Sequence, residues 1–178
     1  MSTAAKVNFD AAPLAESAEV PFSTTLLVRD TCLCLHVQRA ARALARRFDL
    51  ALKPVGLTNG QFSLMMSLNR PAATDGIREV PPATMRSVAD LLGMDRTTLT
   101  AAVKTLQRRG LVAVRVGLTD KRGRLLMLTA EGHRVLAEAV PIWIREHEAL
   151  EQELTDPAEV RSSLCTLGAM TAELTSPV

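Results

Sequence analysis

Between Asp95 and Gly110 the chain reads DRTTLTAAVKTLQRRG. Leu99, Ala102, Val103 and Leu106 recur at helical spacing as one apolar stripe, which leaves Arg96, Thr97, Thr100, Ala101 and Lys104 facing outward. Small polar and basic side chains on one exposed helix face can donate to phosphate oxygens and to base edges in a duplex major groove. Thr98, in the first turn, joins the candidates, with a hydroxyl bond to the backbone as its alternative role. A second group of donors follows in the connection GLTDKRG, which carries Asp120, Lys121 and Arg122, with Arg124 just beyond. Arginines on such a connection can reach the narrow minor groove beside a bound helix.

The elements that position these side chains follow from local signals. Upstream, MRSVADLLGM repeats apolar Met85, Val88, Leu91 and Leu92 at helical spacing, with Thr84 as a start and Gly93 as a stop. Asp95 is a good cap for the next helix and Gly110 a good terminator, with Arg108 and Arg109 in the last turn where cations suit the helix dipole. LVAVRV and RLLMLT, on either side of the basic connection, read as a hairpin. The charge is divided: residues 84–129 hold nine Lys or Arg against three Asp or Glu, and residues 130–178 hold three against nine. A basic block on helix-turn-helix-hairpin is the electrostatic footprint of a nucleic-acid binder, hidden here in a chain whose net charge is only +2.

Three stretches resemble the MarR-type winged-helix transcriptional regulators: LTNGQFSLMMSL at 57–68, TMRSVADLLGMDRTTLTAAVKTLQRRGLV at 84–112 and DKRGRLLMLTAEG at 120–132. The resemblance covers about residues 30 to 175. It implies a mainly α fold with a small β-hairpin wing, a winged helix-turn-helix joined to a helical dimerisation region. It makes Arg122 the minor-groove arginine and Asp120 its brace. The expected DNA-contacting set is therefore Arg96, Thr97, Thr98, Thr100, Lys104, Lys121, Arg122 and Arg124.

The expected organisation is an N-terminal arm at 1–28, a first dimerisation helix at 29–56, the winged domain at 57–129 and C-terminal dimerisation helices at 130–178. DTCLCLHVQRAARALARRFDLALK should form one long helix, started by Asp30 or Thr31 and ended by Pro54 and Gly56. Leu33, Val37, Ala40, Leu44 and Phe48 make its stripe. Thr58 with Gln61 should form a capping box for NGQFSLMMSL, whose buried set is Phe62, Met65 and Met66. Residues 69–83 read as a Pro- and Gly-rich insertion. A helix capped by Thr129 should run through Pro141 with a kink. Asp156, Pro157 and Glu159 open the last helix, on which Val160, Leu164, Leu167, Met170 and Leu174 recur. Wide apolar stripes at both ends of the chain call for a second copy, whose two-fold symmetry matches a palindromic operator.

Composition excludes several classes. No apolar run approaches the length of a membrane span, and no basic-then-apolar leader is expected. Three cysteines cannot all pair in one chain, so a reducing, cytoplasmic setting is expected. There is no Ser-His-Asp grouping, phosphate-cradling loop or HExxH, hence no enzyme and no cofactor. Cys32 and Cys34 with His36 do not make a metal site on a helix, because residues two apart point about 200° apart.

The resemblance also implies a small aromatic effector, phenolic or an aromatic acid, with Leu35, Phe62, Met66, Trp143 and His147 as pocket candidates. His133 and His147 otherwise read as surface residues. It matches Cys34 to the reactive cysteine of the family's peroxide sensors, with Cys165 as a partner across subunits. Those sensors use tyrosine hydroxyls to support the thiolate, and this chain has no tyrosine. The sequence reading is thus a homodimeric DNA-binding repressor. Its alternatives are a thiol-redox-sensing regulator and a winged-helix protein–protein adaptor without DNA binding.

Overall fold

The computed structural model describes residues 19–70, 81–116 and 124–172. The chain divides into two compact units, Met1–Arg46 and Arg47–Val178. Asp120, Lys121 and Arg122, residues 71–80 of the expected 69–83 insertion, and Leu174 lie outside the described residues.

In the first unit helix α1 spans Phe22–Thr31 and α2 begins at Leu33, running to Leu52 in the second unit. The expected long helix is therefore present but starts at Leu33 rather than at Asp30 or Thr31, and a separate helix precedes it inside the expected arm. Cys32 separates them in an extended conformation, φ −71° and ψ 106°. Asp30 does not cap α2 because its carboxylate is occupied by its neighbour: Arg29 donates to both oxygens, at 2.6 and 2.8 Å. The Thr31 hydroxyl donates backward to Leu27 O instead. The break is bridged by Cys32 N–H to Val28 O and His36 N–H to Cys32 O.

The second unit opens with the end of α2, a 3-10 turn at Lys53–Val55 closed by Gly56 at φ +67°, and α3 at Asn59–Leu68. Both halves of the Thr58–Gln61 capping box form, and Asp49 accepts from Asn59 N–H, fixing α3 to the end of α2. Helices α4 (Met85–Leu92) and α5 (Arg96–Arg108) follow, then strands β1 (Val112–Val116) and β2 (Arg124–Leu128). The strands pair antiparallel, Val112 opposite Leu128 and Val116 opposite Arg124. A bridge between Thr84 and Leu125, with Leu126 N–H donating to Ala83 O, adds a minimal third strand.

Helix α6 (Ala130–Gln152) runs as one helix through Pro141, and α7 spans Pro157–Ala172. Thr129 caps α6 through Gly132 N–H and also donates to Gly110 O. Arg47 of α2 donates to Glu146 of α6 and to Glu153 just beyond its end. A single core gathers Leu52, Leu64, Met65, Val88, Leu99, Leu106, Leu126 and Leu136. The methionine pair splits: Met65 is fully buried and Met66 is 40 % exposed. No described residue of α7 is buried.

Candidate DNA interface and adjoining groove

The helix-turn-helix is built by reciprocal caps. Thr84 accepts from Ser87 N–H at 3.1 Å, while the Ser87 hydroxyl accepts from Thr84 N–H at 3.0 Å. Gly93, at φ +61°, turns the chain where side chains are disfavoured. Asp95 then caps α5, accepting from Thr98 N–H at 2.8 Å and from the Thr98 hydroxyl. These bonds, the hydroxyl first, hold the Asp95 carboxyl below its ordinary pKa. Fully or nearly fully buried Leu99, Val103 and Leu106 then fix which face of α5 turns outward.

That face exposes Arg96, Thr97, Thr98, Ala101, Lys104, Gln107 and Arg108, while Thr100 is half-buried. Ala101, Lys104, Thr105, Gln107 and Arg108 line a shallow hollow along it. The threonines differ in what they have left to give. The Thr98 hydroxyl is committed to Asp95, and those of Thr100 and Thr105 donate to Arg96 O and Ala101 O. Thr97 forms no side-chain hydrogen bond among the described residues, so its hydroxyl alone of the four keeps its proton for a partner. Gln107 was missed by sequence reasoning, although its three-residue step from Lys104 was the available signal. Arg109 does not join this surface: it donates to Gln61 Oε1 at 3.0 Å, tying the end of α5 to the capping box of α3.

On the wing, Arg124 is exposed at the start of β2 and Arg115 is exposed on β1. Lys121 and Arg122 lie outside the described residues.

A groove of about 490 Å³ opens between α3, α4 and α6, lined by Phe62, Ser63, Met66, Ser67, Leu91, Leu92, Val140, Trp143 and Ile144. Three of the expected pocket residues, Phe62, Met66 and Trp143, thus come together. The Phe62 and Trp143 rings stack at 5.9 Å, and His147 meets the indole edge-on at 4.6 Å. His147 therefore stands behind the groove in a ladder of rings that ends on Phe48. It is half-buried, not the surface residue its sequence suggested. The groove is lined by second-unit residues alone, so Leu35, in the first unit, stays a sequence expectation. Leu91 corrects another reading. It is 66 % exposed at the groove, because the buried face of α4 is centred on Val88.

Cys34 and Cys165 are exposed, Cys32 is half-buried, and the three are free thiols. Among the described residues no three His, Cys, Asp or Glu side chains gather as a metal site. No described helix is long and apolar enough to cross a membrane.

A capped helix-turn-helix with a basic outer face, followed at once by a hairpin, defines a winged helix-turn-helix DNA-binding protein. The MarR family model matches residues 75–123. The chain is 34 % identical to the Mycobacterium tuberculosis transcriptional regulator MosR solved in complex with DNA, over 82 % of this chain and 99 % of that one, with a TM-score of 0.71. The transcriptional repressor CouR, bound to a 23-mer DNA duplex, is 26 % identical over 87 % of this chain and 99 % of its own, with a TM-score of 0.62. An uncharacterised helix-turn-helix regulator of Bacillus subtilis, YwoH, is 28 % identical over 68 % of this chain and 81 % of its own. The chain belongs to the MarR family of DNA-binding transcriptional regulators, not to an enzyme family.

Proposed function

We propose that the protein is a homodimeric repressor that grips a palindromic operator and is released by a small aromatic effector. The observation that carries the dimer is where uncovered apolar surface lies. Phe22 and Val28 of α1, Leu33 of α2, and Leu164 and Met170 of α7 are all exposed, each on a helix outside the winged domain. A second copy covering them would set two α5 helices a fixed distance apart, as two half-sites require. The DNA-bound MosR and CouR neighbours support the DNA half of this reading.

At each half-site Thr97 donates to a base edge. Arg96, Lys104 and Arg108 meet phosphates or base edges, and Thr98 and Thr100 accept while they brace the helix. Lys121, Arg122 and Arg124 serve the wing, with Arg122 in the minor groove. The groove at Phe62, Met66 and Trp143 receives the effector, which favours a spacing of the two lobes that fits only one half-site.

The test is selection of bound duplexes from a random pool. The expected result is inverted half-sites with centres about 10 base pairs apart, bound less tightly by Thr97→Ala protein. A bound pool without two-fold symmetry overturns the dimeric reading.

A further inference from the structure

We infer that the groove between α3, α4 and α6 selects an uncharged aromatic molecule bearing a hydroxyl or carbonyl oxygen, and discriminates against an aromatic acid. The inference rests on the proposed effector role of this groove and narrows its ligand. It also departs from the acid that family resemblance left open.

The lining is chemically one-sided. Phe62 and Trp143 form a stacked wall, and Met66, Leu91, Leu92, Val140 and Ile144 supply alkyl and thioether surface. This chain has only four Phe and one Trp, yet three of those rings belong to the ladder that backs the groove. Flat ligands gain most against such a surface, and Met66 adapts to their outline. The volume, about 490 Å³, lies within the roughly 300–1,000 Å³ of small-molecule sites.

The polar groups are few and neutral. Ser63 forms no side-chain hydrogen bond among the described residues, so its hydroxyl is available. Ser67 donates to Leu64 O at 2.7 Å and retains acceptor capacity. Trp143 Nε1–H likewise has no hydrogen-bond partner among the described residues. These groups satisfy a phenol or a carbonyl. No Lys, Arg or His lines the groove: Arg86 and Arg145 sit on the same helices but outside its wall, the Arg70 guanidinium beside it donates to the backbone carbonyls of Ser67 and Pro81, and His147 stands behind the Trp143 ring. A carboxylate held against this lining meets no wall cation to replace the water it gives up.

Trp143 is the sole tryptophan, so its fluorescence reports the groove directly. Full-length protein is titrated with methyl 4-hydroxybenzoate and with 4-hydroxybenzoate, which at about pH 7 differ by one negative charge. Saturable quenching is expected with the ester, and binding weaker by about tenfold or more with the acid. Met66→Arg, and separately Ile144→Lys, place a cation at partly exposed wall positions and should shift preference toward the acid; circular dichroism confirms their fold. Equal or tighter binding of the acid by the unsubstituted protein overturns the inference and leaves the effector reading standing. If the ester binds and operator affinity is unchanged, the ligand class holds and the effector reading fails. If neither compound quenches, and emission changes only with protein concentration, the occupant is a second copy and both readings fall.

Discussion

Replacing Gly132 by alanine probes how α5 and the β1–β2 hairpin are joined. Gly132 lies in the first turn of α6, where an added Cβ would sit 2.1 Å from Leu111 O and 3.1 Å from Leu111 C. An ordinary carbon–oxygen contact is about 3.3 Å, so the two backbones must part by roughly 1 Å. Leu111 is buried at the corner between α5 and β1, and its carbonyl accepts from Thr129 N–H at 3.1 Å. Parting the backbones stretches that bond beyond useful length. Overpacking costs about 1–3 kcal/mol and the lost bond about 1 kcal/mol, offset by about 1 kcal/mol of helix propensity. The net is a loss of about 2 kcal/mol, or roughly 4–8 °C in Tm for a chain of this size. Thermal unfolding at one fixed protein concentration measures it, since any self-association also moves Tm. Gly60→Ala, where a Cβ meets nothing within 4 Å, is the control and should be neutral or stabilising. The sign is decisive: a Tm for Gly132→Ala equal to or above the parent's refutes the close approach of α6 to Leu111.

Four further outcomes are expected. Because Asp95 has its pKa lowered on folding, its contribution is complete above the ordinary carboxylate value and is lost as pH falls below that value and through the lowered folded one. Asp95→Asn should therefore lose less stability than the parent between about pH 5 and pH 3; superimposable acid-unfolding curves would remove this role. Leu164→Glu, at an exposed position of α7, should leave the fold intact and shift sedimentation from dimer to monomer, whereas an unchanged sedimentation coefficient would move the dimer contact elsewhere. Lys104→Ala should weaken binding across operator sequences alike and reduce the salt slope by about one, and Arg122→Ala should cost about 1–3 kcal/mol of operator binding. Gel-shift titrations over a salt series check both.

What could be read from the chain alone was mostly local. The caps at Thr58, Thr84, Asp95, Thr129 and Asp156 formed because each needs only its own side chain and a backbone group three residues on. The outward face of α5 was legible for the same reason, since three leucine and valine positions settle a helix's orientation. Failures came where a distant or competing group intervened. Asp30 looked like a cap until its carboxylate was taken by Arg29. Arg47 lies off the apolar stripe of its helix, and no local signal shows that it pairs with residues about a hundred positions away. The groove is the sharpest case. Its walls come from three helices, so no sequence window contains both Ser63 and Ile144, and Leu91 could be placed there only once Val88 was seen to take the core. One signal did point the right way. In a chain this poor in aromatics, Phe62 and Trp143 on separate apolar helix faces gain more from meeting each other than from dispersal, and where they meet they build the flat wall of the groove.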